Sequence, residues 1–179
     1  MSIFSASNIT PMLSKAEIDD RVAVLGEEIS RDYDGEELVL IGILKGSFVF
    51  LADLARAVDL PLSVDFIGLS SYGDATQSSG VVRLTQDVSK PIENKHVLIV
   101  EDIVDTGLTM RYLFENLQTR NPASVKLCSL LEKPSKNKSG VAIDYLGFSI
   151  PDKYVIGYGL DSAGKYRNLP FVGVMEGDG

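Results

Sequence analysis

The stretch richest in chemistry is His96-Val97-Leu98-Ile99-Val100-Glu101-Asp102-Ile103-Val104-Asp105-Thr106-Gly107-Leu108-Thr109. An apolar strand delivers two adjacent carboxylates, Glu101 and Asp102, and a turn then brings Asp105, Thr106 and Gly107 to the start of a helical pattern. Free N–H groups at a helix N-terminus, the Thr106 and Thr109 hydroxyls, and a glycine that lets the chain approach closely form a cradle for a phosphate monoester. Glu101 and Asp102 supply the oxygens that both Mg²⁺ and ribose diols require. A phosphate cradle beside a diol-binding acid pair describes a ribose 5-phosphate site. The plainer reading makes Asp105 a helix cap and Glu101-Asp102 a solvated strand end.

These groups need elements to hold them. Ser14-Lys15-Ala16-Glu17 has the spacing of a capping box, and Ile18, Val22, Leu25 and Ile29 then recur at helical intervals, predicting an amphipathic helix that ends near Tyr33. Leu38–Leu44 reads as a buried strand, and Lys45-Gly46 turns it into a second helix carrying Phe48, Leu51, Leu54, Ala55 and Val58. Pro61 and Leu62 open another strand toward Leu69, followed over residues 70–80 by a Ser-, Gly-, Thr- and Gln-rich stretch without periodicity, read as a mobile loop. A short strand is expected over 81–86, and a very apolar one over 97–100 that ends abruptly in charge. Helix pattern returns at 109–117, strand pattern at 125–131, and two short strands fit around 154–157 and 171–174. No repeat or linker divides the chain, so 1–179 is read as a single domain with a core at about 38–174. The alternation predicts an α/β fold, a mainly parallel sheet flanked by helices, with ligands at the carboxyl ends of the strands.

Composition narrows the function classes. A net charge of −8 over 179 residues argues against a standing nucleic-acid or anionic-membrane surface, which needs clustered Lys and Arg. No apolar run approaches ~18 residues, and residues 1–15 lack the basic start and apolar stretch of an export signal. The single cysteine, Cys128, lies in an apolar run and is expected to be a buried thiol in a reducing, cytoplasmic compartment. His96 is the only histidine and is expected to be structural or superficial, so no histidine triad or zinc site can be assembled. Neither a Gly-x-x-x-x-Gly-Lys-[Ser/Thr] loop nor a Gly-x-Gly-x-x-Gly fingerprint is present.

The 96–109 string closely resembles the signature of type I phosphoribosyltransferases: an apolar strand, two acids, two apolar residues, Asp-Thr-Gly and a further Thr. Leu44-Lys45-Gly46, Asp65-Phe66-Ile67 with Ser71-Tyr72, residues 130–133, and Pro151-Asp152-Lys153-Tyr154-Val155 followed by Gly157-Tyr158 and Leu160-Asp161 resemble the remaining blocks of the hypoxanthine-guanine phosphoribosyltransferases, in that family's order. The resemblance implies a small hood built from terminal segments and a flexible flap at about 71–80 that includes Ser71 and Tyr72. It implies purine salvage: transfer of the 5-phosphoribosyl group of 5-phosphoribosyl 1-diphosphate to hypoxanthine or guanine, giving IMP or GMP and diphosphate. Mg²⁺ is the implied cofactor, the partners are these small molecules without nucleic acid or membrane, and a homodimer or homotetramer is the implied assembly.

By motif position, the resemblance makes Asp105 the general base beside purine nitrogen 7, and Asp105, Thr106, Gly107, Leu108 and Thr109 the 5′-phosphate loop. Glu101 and Asp102 match the positions that engage the ribose hydroxyls and the associated Mg²⁺, with Asp161 a further Mg²⁺-linked acid near the purine edge. Lys133 matches the donor to the 6-oxo group, Tyr154 the aromatic that stacks on the base, and Val155 the residue whose backbone meets its edge. Arg167 matches a diphosphate-binding arginine. A cis peptide between Leu44 and Lys45 is implied, turning the Lys45 and Gly46 amides toward diphosphate. Within the class, adenine is disfavoured because Lys133 would meet an amino donor, while xanthine stays open. A regulator that binds RNA through the same loop would need a basic face, which an acidic chain lacks.

Overall fold

The Ser14 spacing forms the box it predicts: the Ser14 amide donates to Glu17 Oε2 at 2.8 Å, and the Glu17 amide donates to Ser14 Oγ at 3.3 Å. In this computed structural model, which describes residues 9–71 and 82–175, the box starts α1 (Lys15–Asp32), preceded by β1 (Ile9–Leu13). There follow β2 (Leu38–Leu44), α2 (Phe48–Ala57), β3 (Leu62–Ser71), β4 (Val82–Gln86), β5 (His96–Val104), α3 (Leu108–Gln118), β6 (Ser124–Glu132), β7 (Tyr145–Ser149), β8 (Val155–Ile156) and β9 (Val172–Met175).

The central sheet has six strands in the order β4-β3-β2-β5-β6-β7, parallel except for the edge pair β3–β4. Successive side chains along β2 and β5 point to opposite faces, and this alternation divides the core in two. Leu38, Leu40, Leu98 and Val100 pack with α1 and α2, through Ile18, Leu25, Phe50 and Leu54. Val39, Ile41, Val97 and Ile99 pack with α3, through Met110, Leu113 and Leu117. Two-sided burial explains why these strands read as unbroken apolar runs. A second, three-stranded antiparallel sheet, β1-β9-β8, joins the two ends of the described chain and supplies the hood.

From β2 the chain crosses through α2 to β3 on one side; from β5 it crosses through α3 to β6 on the other. The connections therefore diverge between β2 and β5, the position at which open α/β sheets bind ligands. Three elements differ from the sequence reading. β5 does not stop at Val100 but runs on to Val104, because β6 continues to pair with it as far as Val104↔Glu132. β7 was not expected, its Tyr-Leu-Gly-Phe-Ser run being too mixed to show a period. Neither was β1, whose Pro11 is tolerated because, among the described residues, the strand lies at a sheet edge beside β9. Among the described residues, no helix is long and apolar enough to cross a membrane.

Candidate active site

Three backbone segments meet where β2 and β5 diverge. The Leu44–Lys45 peptide after β2 is cis, as the resemblance implies. Beyond it, a side chain on Gly46 would lie 1.7 Å from Asp102 Oδ2 at the end of β5. Gly159, at φ +102°, comes so close from the third segment that its own Cβ would meet the Gly46 carbonyl oxygen at 2.1 Å.

At the end of β5 the two carboxylates bend back on the chain: Glu101 Oε1 accepts from the Asp102 amide and Asp102 Oδ1 from the Ile103 amide, each at 3.0 Å. Glu101 is 7% exposed, and burial, reinforced by the neighbouring Asp102 carboxylate, holds its carboxyl well above the ordinary range. Adjacent strand residues cannot face the same way, and these two line different cavities. Asp105 follows, its Oδ1 buried and without a hydrogen-bond partner among the described residues. It does not cap α3. The cap position belongs to Gly107, at φ +78°, which has no side chain to cap with; the Leu108 amide donates to Thr106 Oγ1 at a long 3.5 Å, which a ligand oxygen can displace. A Cβ at Gly107 would also lie 1.9 Å from Ser139 Oγ, a side-chain tip that would have to turn away.

Glu101, Asp105, Thr106, Gly107 and Thr109 line a cavity of about 150 Å³. A second cavity, of about 320 Å³, also reaches Asp105 and brings in Gly46 from the end of β2, Asp102 from β5 and Lys133 from beyond β6. Tyr154, Val155, Asp161 and Arg167 complete it. Asp105 thus stands where an enclosure suited to a phosphate adjoins one with room for a base.

Lys133 is 7% exposed; its amide donates to Val104 O at 3.0 Å, anchoring the β6 exit to the end of β5. Its Nζ lies 3.3 Å from Asp152 Oδ1, the same oxygen that Lys136 Nζ approaches to 3.0 Å. Lys136 and then Lys133 hold the Asp152 carboxyl below its usual range against a smaller opposing effect of desolvation. Tyr154 presents an exposed ring, 57% accessible, steadied by a 3.2 Å bond from its hydroxyl to Asp161 O. Arg167 is clamped by Gly159 O and by Asp161 Oδ1, both at 2.7 Å, and Asp161 Oδ2 accepts from the Gly164 amide at 2.7 Å.

Most of the residues named from the sequence are therefore gathered around two adjoining cavities. Lys45 and Leu108 are exposed at the rim and line neither one. Ser71 ends β3, while Tyr72 and the rest of the anticipated flap to residue 80 lie outside the described residues. Glu101, Asp102 and Asp161 do not converge: among the described residues, no group of three or more His, Cys, Asp or Glu side chains could by itself hold a metal ion. Sequence reasoning overlooked Asp152, Lys136 and Ser139. Asp152 stood inside a quoted block without a role, and the polar loop 134–140 gave no local signal. His96 is structural, as expected, with Nδ1 2.7 Å from Ser124 Oγ and its ring edge-on to Tyr33. Cys128 is fully buried, and burial pushes its thiol pKa up.

The fold and this site together define a type I phosphoribosyltransferase, and residues 13–163 match the family model for the phosphoribosyl transferase domain. The chain is 46% identical over 171 residues to the hypoxanthine-guanine phosphoribosyltransferase of Mycobacterium bovis, covering 92% of this chain and 85% of that protein. It is 49% identical over 169 residues to the one from Dictyostelium discoideum, covering 92% and 94%. A crystal structure of a hypoxanthine phosphoribosyltransferase from Staphylococcus aureus superimposes with a TM-score of 0.93 at 41% identity, covering 98% of this chain and 95% of that one. The chain belongs to the hypoxanthine-guanine phosphoribosyltransferase family.

Proposed function

We propose that this chain salvages purines by transferring the 5-phosphoribosyl group of 5-phosphoribosyl 1-diphosphate to hypoxanthine or guanine, releasing diphosphate and IMP or GMP. The observation that carries this reading is the position of Asp105, whose buried oxygen, without a hydrogen-bond partner among the described residues, stands at the junction of the two cavities. The uncapped start of α3 and the Thr106 and Thr109 hydroxyls take the 5′-phosphate in the smaller cavity. The ribose hydroxyls then fall to Glu101 and Asp102, and the diphosphate to the Lys45-Gly46 turn and Arg167. In the larger cavity the base stacks on Tyr154, meets the Val155 backbone at its edge, and accepts from Lys133 at its 6-oxo group.

As the bond from ribose carbon 1 to diphosphate loosens, the sugar becomes oxocarbenium-like. Purine nitrogen 9 then forms the new bond to carbon 1, and the proton on nitrogen 7 passes to Asp105. Asp102 and Asp161, which line the larger cavity, would hold Mg²⁺ there, with Glu101 facing the smaller cavity from the same strand; when bound, the ion would neutralise charge on the diphosphate. An incomplete protein ligand set suits this ion, which commonly binds through one or two carboxylates together with substrate phosphates and water. Lys133 has only donors to offer, so a 6-amino group would be left mismatched, which favours 6-oxopurines over adenine.

We read the assembly as a homodimer or homotetramer; Phe48 and Val64 expose apolar side chains that a second copy would cover. The lone buried thiol of Cys128 supports residence in a reducing cytoplasm. The deciding experiment incubates the protein with the diphosphate donor, Mg²⁺ and hypoxanthine, guanine, xanthine or adenine in turn. Nucleotide from hypoxanthine and guanine is expected; turnover of adenine alone, or of no base, overturns the reading.

A further inference from the structure

The geometry points to Asp152 as the positioning residue that aims Lys133 at the purine and ties it to the ring that stacks on the same base. This inference rests on the proposed role of Lys133 as reader of the 6-oxo group. A lysine ammonium has three protons and a stem with several rotatable bonds, so by itself it specifies no direction. Lys133 is buried, and Asp152 Oδ1 at 3.3 Å is the one side-chain partner of its Nζ among the described residues. That anchor uses one proton of Nζ and leaves the others without a side-chain partner among the described residues, on a lysine that lines the larger cavity.

The anchor also has a second end. Asp152 belongs to the tight turn in which the Lys153 amide donates to Pro151 O at 2.8 Å, immediately before Tyr154. One carboxylate therefore sets the spacing between the donor to the base edge and the aromatic beneath the base face. Lys136 Nζ, 3.0 Å from the same oxygen, keeps that carboxylate in place from the solvent side. Asp152 is itself half-exposed, its side chain 44% accessible, so it contributes little to the apolar core, and any stability lost on its replacement comes from the Lys133 ammonium left without its partner. Its consequence for the reaction is confined to how Lys133 and Tyr154 meet the purine.

The test compares Asp152→Asn, Asp152→Glu, Lys133→Ala and the Asp152→Asn/Lys133→Ala double variant in steady-state kinetics, with thermal melts alongside. Asp152→Asn is expected to raise the KM for hypoxanthine and guanine on the order of tenfold, the scale of a lost hydrogen bond to a charged group, with the donor KM nearly unchanged and a single cooperative melt retained. Asp152→Glu should restore part of the loss. In the Lys133→Ala background the asparagine should add nothing further, because Asp152 acts through that lysine. Unchanged purine KM values in Asp152→Asn while Lys133→Ala raises them, or full additivity of the two changes, overturn the positioning role and leave the reading of Lys133 intact. If Lys133→Ala leaves both purine KM values unchanged, the underlying reading of Lys133 fails and the positioning role falls with it.

Discussion

Gly46 and Asp102 touch across the divergence of β2 and β5: a methyl group on Gly46 would come within 1.7 Å of Asp102 Oδ2. The obstructing atom is the tip of a side chain, so an alanine there would displace the carboxylate rather than the backbone. Gly46→Ala is accordingly expected to lower kcat/KM on the order of 10²-fold, the scale of an ångström-sized misplacement in an active site, with a melting curve close to that of the parent. Loss of folding in place of loss of activity would show that the contact is structural.

Asp105→Asn separates proton transfer from helix capping. The residue does not cap α3, so its amide is expected to leave the melting temperature nearly unchanged. Turnover should fall on the order of 10²–10⁴, the usual range for a lost general base, while donor KM changes little because the phosphate cradle is largely backbone. Parental kcat, measured after confirming that the asparagine has not deamidated, would place the proton elsewhere.

Glu101→Gln should trade function for stability. Because the folded-state pKa of Glu101 is raised, the folded chain holds that proton more tightly than the unfolded one; the associated stability is full below the ordinary glutamate range and is lost as pH rises through the raised value. Glutamine removes that loss, so the variant's advantage in Mg²⁺-free buffer should grow with pH across this window. A gain of 1 kcal/mol would appear as about 2–4 °C in a domain of this size. Nucleotide formation should fall in the same protein. A variant less stable than the parent at neutral pH contradicts the burial argument.

Dialysis against a chelator should abolish nucleotide formation and added Mg²⁺ should restore it, since the acids at the site do not form a complete cage and the ion is expected to arrive with the donor. Full turnover in excess chelator would remove the metal from the mechanism.

Several features were legible in the sequence because each depends on residues close together along the chain. The Ser14 box placed α1 to within a residue, the apolar run Leu38–Leu44 is β2 at its observed bounds, and the loop from Glu101 to Thr109 carries its ligand groups consecutively. Local period, caps and a contiguous motif need no knowledge of the partner strand.

Only the tertiary structure decided how those pieces combine. The order β4-β3-β2-β5-β6-β7 sets Gly46 against Asp102, and continued pairing with β6 carries β5 past its charged residues to Val104. The pleat then sends Glu101 and Asp102, adjacent in sequence, to different cavities, while residues from distant segments join Asp105 in one of them. Strand pairing and the meeting of Lys133 with Asp152 are contacts over long chain separations, chosen by packing and charge once the elements have formed, and no local pattern around either residue encodes them.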